Sequence, residues 1–340
     1  MIDSISIKNF RCFESAEASG LGRVNVVVGD NRAGKTAFLE ALYLVSGNTP
    51  QNHLKVDAWR GLNEGQIQIS EHDVSTGLLW RDLFFDFDQA RIIGIKASGS
   101  QNRALNIMLR KRAKSVPVRG TVVSAIEWTW AESGNYVSVP RLEEGELKFP
   151  NTPPGIAGAM LSTSNISANE MAKRYSDLDI KNEAGAVLAL LRKQFPEITG
   201  LSTQVVQGDR AMLYATVEGM REKIALPLIS AGLTRLLYIL LTIHVLPGGA
   251  VGIDEIDNGI FYDRYSRLWE AVDDSSRERG TQVFASVHSI EALKALLPVI
   301  ERQGSDFRLI RVTREPGRSQ LKVVGANSIA AAISGDVEMR

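Results

Sequence analysis

The segment that most constrains this chain is Gly29-Asp30-Asn31-Arg32-Ala33-Gly34-Lys35-Thr36, which reads G-x-x-x-x-G-K-T. Upstream, Val24-Asn25-Val26-Val27-Val28 is a β-branched run of buried-strand length. Downstream, Thr36 to Val45 carries Phe38, Leu39, Leu42, Tyr43 and Val45 at helical spacing. A glycine-containing turn with a stray lysine has no such flanks. Strand, loop and helix in this order predict a phosphate-binding loop. Its backbone N–H groups converge at a helix N-terminus, where the peptide dipole favours anions. Lys35 can then reach the β- and γ-phosphates of a nucleotide, and Thr36 can ligate Mg²⁺.

Composition excludes several classes. Lys+Arg and Asp+Glu are both 39, so no net field draws the chain to nucleic acid, and any such binding must come from a local patch. The lone cysteine, Cys12, excludes an intrachain disulfide and a multi-cysteine metal site, and reads as a small buried apolar residue in a reducing compartment. No charged n-region precedes an apolar stretch at the N-terminus. The most apolar segment, Leu228 to Leu246, is interrupted by Ser230, Gly232, Thr234, Arg235 and His244. It reads as a buried helix rather than a membrane span, and the chain as cytoplasmic.

Period-two alternation over Ile5–Phe10 predicts a strand, as do Leu83–Phe87, Arg91–Ile95 and Ile67–Ile69. Thr121–Trp130 and Tyr136–Val139 read as a hairpin about Ser133-Gly134-Asn135. Residues 150–168, rich in Pro, Gly, Ser, Thr and Asn, read as a loop. Helical spacing begins near Asn169 and includes Ala184 to Phe195. Met212–Leu226 reads as a second hairpin. The last third alternates strand (Ala250–Ile253), helix (Tyr262–Arg279), strand (Gln282–Val287) and helix (Ser289–Ile300), which is βαβ-like. It closes on a strand pair, Phe307–Val312 and Leu321–Val324.

Three further segments carry chemistry. Asp254 and Glu255 end a short apolar strand, where an Asp can hold Mg²⁺ and an adjacent Glu can deprotonate the attacking water. His288 ends the next buried strand, where an imidazole can hydrogen-bond a γ-phosphate. Ser230 and Gly232 open the apolar helix as a second anion cradle, or Ser230 merely caps it. One nucleotide does not need two cradles from one subunit, so a second copy would supply the other.

The order "IKNFRCF", "GDNRAGKT", "ISAGLTR", "VGIDEIDNG" and "FASVHS" resembles the ABC-type ATPases that include the RecF and SMC heads and the OLD ATPases, and is most similar to the OLD-like AAA-family proteins. The resemblance implies an α/β, ABC-type P-loop ATPase head with a mixed β-sheet lobe, a helical signature lobe and no long coiled coil. Residues 1–150 and 248–340 would build the first lobe and 160–247 the second. It implies that Gly29, Asn31, Arg32, Ala33, Gly34, Lys35, Thr36 and Ala37 bind ATP. Thr36 and Asp254 would hold Mg²⁺, with Glu255, His288 and Lys35 catalytic. Ser230 and Gly232 would act in trans, and Arg11 would lie near the nucleotide. The signature departs from Leu-Ser-Gly-Gly-Gln, and Gly259-Ile260-Phe261 stands where Gly-Leu-His is frequent; Gln89 is the candidate Q-loop residue. Only 52 residues follow His288, fewer than the ~100 of a typical small domain, so a Toprim nuclease is expected on a separate polypeptide.

The resemblance therefore implies head-to-head ATP-sandwich dimers, possibly of higher order. Their partner would be an effector nuclease, as in two-protein anti-phage systems of the PARIS type. A RecF-like DNA-repair ATPase is the alternative. A nucleotide kinase or GTPase is disfavoured, because no Asn-Lys-x-Asp motif and no acceptor lid is evident. Arg103 to Arg119 carries six basic and no acidic residues and reads as a solvated face, or as a contact for phosphate backbone or an acidic protein. Trp128 and Trp130 share a strand face and read as core. Asp273-Asp274 reads as a frayed helix end, and His53, His72 and His244 show no ligand-like spacing to one another.

Overall fold

The structure is a computed structural model and describes residues 1–60, 69–110, 121–132, 134–150, 158–163, 166–206, 210–303, 306–315, 317–326 and 328–329. Its strands are β1 (Ile2–Phe10), β2 (Phe13–Ser19), β3 (Val24–Val28), β4 (Ile93–Gly99), β5 (Arg103–Leu109), β6 (Thr121–Val123), β7 (Ile126–Ala131), β8 (Asn135–Ser138), β9 (Arg141–Glu143), β10 (Glu146–Lys148), β11 (Gly158–Leu161), β12 (Ile198–Val205), β13 (Ala211–Val217), β14 (Ile224–Ala225), β15 (Ala250–Ile253), β16 (Gln282–Ser286), β17 (Phe307–Glu315) and β18 (Arg318–Gly325). Its helices are α1 (Lys35–Ser46), α2 (Gln51–Trp59), α3 (Glu71–Thr76), α4 (Ala168–Ile180), α5 (Ala184–Arg192), α6 (Ala231–His244), α7 (Tyr265–Arg279), α8 (Ile290–Lys294) and α9 (Leu297–Gln303).

The central sheet has the order β11-β15-β16-β3-β17-β18, parallel except for the last pair. Strands β3, β15 and β16 are buried along their whole length, as strands covered on both faces must be. A second, antiparallel sheet has the order β2-β1-β4-β5-β7-β8. Helix α1 lies between the two sheets and contacts strands of both. Every residue from Ala37 to Ser46 is buried, which explains why this helix is apolar nearly all round. On the opposite face of the central sheet, α4, α5, α6 and α7 pack into a separate core with the small sheet β12-β13-β14. The longest helix among the described residues is α7, with 15 residues, and no helix is long and apolar enough to cross a membrane.

Several local expectations are corrected. Leu83–Phe87 is not a strand: two 3-10 turns, Leu78–Leu83 and Phe85–Phe87, replace it, because Asp86 and Phe87 take left-handed backbone (φ 54° and 57°) that breaks the alternation. The loop expected over 150–168 contains β11, whose four residues pair with β15. Ser289–Ile300 divides into α8 and α9, with Pro298 in the first turn of the second. Asp273 is no frayed end, since its buried carboxylate accepts from Arg23 at 2.8 Å. Arg103 is not solvated; it is buried in β5, donating to the Ser46 carbonyl at 3.0 Å and lying 3.8 Å from Glu132. Arg110 donates to the Ser124 carbonyl. Lys111, Arg112, Lys114 and Arg119 lie outside the described residues, as do Ile67 and Gln68. Trp128 and Trp130 are fully buried and stacked, with centroids 6.0 Å apart.

Candidate functional site

Parallel topology gathers the candidate residues at one edge. The loop Gly29–Gly34 leaves the C-terminal end of β3, Asp254 and Glu255 follow β15, and His288 follows β16. Ligands of open α/β sheets bind beyond this edge of the strands. Here it borders a cleft of about 700 Å³, lined by Asn31, Arg32, Gly34, Lys35, Thr36, Ala37, Asp254, Glu255, His288 and Arg11.

The loop conformation depends on its glycines. Gly29 (φ 146°) and Gly34 (φ 113°) sit where side chains are strained. A Cβ on Gly29 would lie 2.1 Å from the Val312 carbonyl oxygen, and one on Gly34 would lie 2.5 Å from Cys12 Sγ. Arg32 also takes positive φ, 69°. Ala33 is buried and does not line the cleft; its carbonyl accepts from Ser319 Oγ at 2.6 Å, which pins the loop to β18. Burial pushes the Cys12 thiol pKa up, so Cys12 is a packing element of the cleft wall rather than a thiolate.

Lys35 Nζ donates to the carbonyls of Gly29 (2.6 Å) and Asp30 (3.2 Å). Burial pulls its pKa below the usual lysine range, opposed by the fields of Asp254 and Glu255. Thr36 Oγ1 donates to Asp254 Oδ2 at 2.9 Å, and Ser286 Oγ donates to Asp254 Oδ1 at 2.6 Å. A hydroxyl and a carboxylate oriented in this way form an all-oxygen pair suited to Mg²⁺, which retains water in its remaining positions. The Glu255 N–H donates to Ser286 Oγ at 2.7 Å, and Glu255 itself takes φ 46°. A left-handed glutamate at a strand end is a local strain of the kind found at functional sites.

Three residues outside the sequence motifs' assigned roles build this corner. Ser286 holds both Asp254 and Glu255. Asp257 is buried and accepts from the backbone N–H groups of His288 (3.2 Å) and Ser289 (2.8 Å), which sets the His288 loop against the Glu255 loop. Arg235, buried on α6, donates to the carbonyls of Ser162 (2.8 Å) and Asp254 (2.7 Å). Burial lowers its pKa, against the fields of Asp254 and Tyr238. An Asp three positions after Asp254 was a visible signal. An arginine within an apolar helix was another, because a buried charge must find partners.

Arg11 reaches the cleft wall, but its guanidinium is engaged by carboxylates. Nε lies 3.1 Å from Glu40, and the group also pairs with Asp82. Asp57 lies 3.9 Å away. His53 Nε2 is 3.1 Å from Asp57 and 3.5 Å from Asp82, so His53, Asp57 and Asp82 cluster although the histidines share no spacing. Gln89 is not at the cleft; its amide donates to the Gly77 carbonyl at 2.7 Å. Ser230 caps α6, accepting from the Leu233 N–H, and neither it nor Gly232 lines this cleft. Gly232 approaches the loop after Glu255: a Cβ there would lie 3.0 Å from the Gly259 carbonyl.

The acidic cluster has a pH signature. Burial lifts the Asp57 carboxyl to about 6. Burial also opposes ionisation of Asp82, but hydrogen bonding and charge from His53 and Arg11 outweigh it and bring Asp82 to about 2. A raised carboxyl binds its proton more tightly in the folded chain, so the Asp57 contribution is present at low pH and is lost as pH rises from 3.8 to about 6. Asp82 acts oppositely, and its contribution is lost as pH falls from 3.8 to about 2. Asp57→Asn is therefore expected to gain about 5 °C in melting temperature relative to wild type between pH ~4 and pH ~7. Thermal melts of both proteins across that range check this, and a constant difference contradicts it.

Residues 1–119 match the family described as AAA ATPase domain. Over 339 residues the chain is 22% identical to the ATP/GTP phosphatase of Helicobacter pylori (strain ATCC 700392 / 26695), covering 89% of each. A 45-residue stretch is 42% identical to the DNA replication and repair protein RecF of Bacillus thuringiensis (strain Al Hakam), covering 13% of this chain and 12% of that one. Among solved structures, the SMC head bound to the C-winged helix domain of ScpA matches with a TM-score of 0.51 at 13% identity, over 97% of this chain and 99% of that one. The fold is that of an SMC or ABC ATPase head, and the chain is an ATPase.

Proposed function

We propose that two copies of this chain close on ATP and Mg²⁺, that hydrolysis reopens them, and that this cycle regulates a separate effector, a nuclease, in anti-phage defence. The observation that carries the sandwich is the placement of Ser230 and Gly232. They form a capped, half-buried helix N-terminus outside their own cleft, and in the sandwich this N-terminus faces the triphosphate held by another copy. Gly232 abuts the loop after Glu255, and this side carries Leu228, Phe261 and Tyr262, which are 79%, 63% and 65% exposed. A second copy would cover these apolar side chains.

In this reading Lys35 and the loop N–H groups grip the phosphates, Glu255 deprotonates the attacking water, and His288 contacts the γ-phosphate. Residues 160–247 act as the lobe that presents the signature. Mg²⁺, held by Thr36 and Asp254, neutralises phosphate charge as it develops. Binding energy at the shared phosphates then biases an open–closed equilibrium that the effector senses. Support for the defence role comes from the motif order shared with OLD-like ATPases.

A direct DNA clamp is the second reading, favoured by the short RecF similarity. The described part of the basic stretch does not help it, because Arg103 is buried and Arg110 is bonded to Ser124.

Light scattering of the Glu255→Gln variant tests the sandwich. The mass is expected to double on adding ATP and Mg²⁺, and to stay that of the nucleotide-free protein when Ser230→Arg is added. A mass unchanged by ATP, or doubling that tolerates Ser230→Arg, overturns it.

A further inference from the structure

The cleft has a second wall that the phosphate chemistry does not use. Phe84, Phe85, Asp86 and Phe87 line it together with Lys35 and Thr36. We propose that this segment is a stacking strap for the purine base of the nucleotide whose phosphates the glycine loop takes; this rests on the site reading above and extends it to the base.

The segment is rigidly rooted. The Arg11 N–H donates to the Leu83 carbonyl at 2.8 Å, and Phe10 pairs with Phe84 in an isolated bridge. Phe84 is buried as an anchor. Arg11 also donates to the Asp82 carbonyl and pairs with its carboxylate. The strap is thus tied to the strand end that leads into the cleft wall.

Its tip is presented outward. Asp86 and Phe87 are consecutive non-glycine residues in left-handed backbone, a conformation that costs energy and persists where surrounding structure imposes it. The result is a phenylalanine, 59% exposed, in the wall of the cleft that the glycine loop also lines. Arg81 lies 5.7 Å from the Phe87 ring centroid and Arg91 lies 5.5 Å from that of Phe85, so each ring is steadied by a cation while Phe87 keeps open surface. Among the described residues, the Phe87 side chain stays largely exposed beyond its contact with Arg81. A flat, weakly polar partner held beside a triphosphate supplies packing for the ring, and a nucleobase is such a partner.

Stacking reads the face of a base rather than its edge. Purines, with the larger face, are held better than pyrimidines, and adenine and guanine are held alike. The strap therefore sets a purine preference with little discrimination between ATP and GTP.

Calorimetric titration of the full chain with ATP and with inorganic tripolyphosphate, both with Mg²⁺, tests the strap. Phe87→Ala is expected to weaken ATP binding about tenfold, leave tripolyphosphate binding unchanged, and be restored by Phe87→Trp. Wild-type affinity for CTP is expected to fall below that for ATP and GTP. The strap is overturned if Phe87→Ala binds ATP as wild type does, or if it loses ATP and tripolyphosphate in equal proportion. Wild-type protein that binds neither ligand overturns the glycine-loop assignment and the strap with it.

Discussion

Glu255→Gln is expected to lower the ATP hydrolysis rate by about 10²–10⁴-fold while nucleotide binding survives. The amide keeps the size and shape of the side chain but cannot accept the proton of the attacking water. The geometry that positions it does not depend on its charge: the backbone is fixed by the bond from the Glu255 N–H to Ser286 Oγ, and the Asn258 amide can donate to the Gln carbonyl as it does to the Glu255 carboxylate. Asp254 remains oriented by Thr36 and Ser286, so metal and phosphate binding are retained. The ATP-bound state should accumulate as turnover slows. Steady-state phosphate release measured beside ATP affinity separates the two effects. Hydrolysis at the wild-type rate would mean that another group activates the water.

Much of this site is legible in the sequence because it is local. The glycine loop is contiguous, and its strand and helix flank it directly. β15 and β16 are short buried runs with the candidate residues within two positions of their C-terminal ends, so locating the strands locates Asp254, Glu255 and His288. Ser230 is visible as a cap because Ser is strongly favoured at a helix start.

The rest depends on contacts between distant segments. Arg235 lies in a helix apolar nearly all round, and only tertiary packing brings it to the Asp254 carbonyl. Ser286 reads as one more residue of a buried strand until it is seen to bond two neighbours at once. The run Leu83–Phe87 has the composition of a strand, but its backbone is decided by the left-handed residues Asp86 and Phe87. Gly158–Leu161 is too short and too poor in β-branched residues to stand out from the Pro- and Gly-rich stretch around it, and it becomes a strand because β15 offers it an edge. The pairing of Asp273 with Arg23 spans 250 residues, which no local pattern records.

The central claim is that the glycine loop is where ATP is held and cleaved, and Lys35 is its most exposed commitment. The ammonium now donates to the Gly29 and Asp30 carbonyls, partly desolvated and drawn toward Asp254 and Glu255. Oxygens of a β- or γ-phosphate can replace those carbonyls as acceptors, and a charged donor at that point stabilises negative charge building up during transfer. Loss of a single well-placed donor of this kind costs about 10²–10³-fold in rate, and loss of the charge adds weaker ground-state binding. Removal of the side chain leaves the loop backbone in place, because Gly29, Gly34 and the bond from Ser319 to Ala33 define it. The direct measurement is ATP turnover by purified wild-type and Lys35→Ala protein, compared at matched thermal stability. The account predicts Mg²⁺-dependent hydrolysis that falls by about a thousandfold or more in the variant; a Lys35→Ala protein that cleaves ATP as fast as wild type would contradict it.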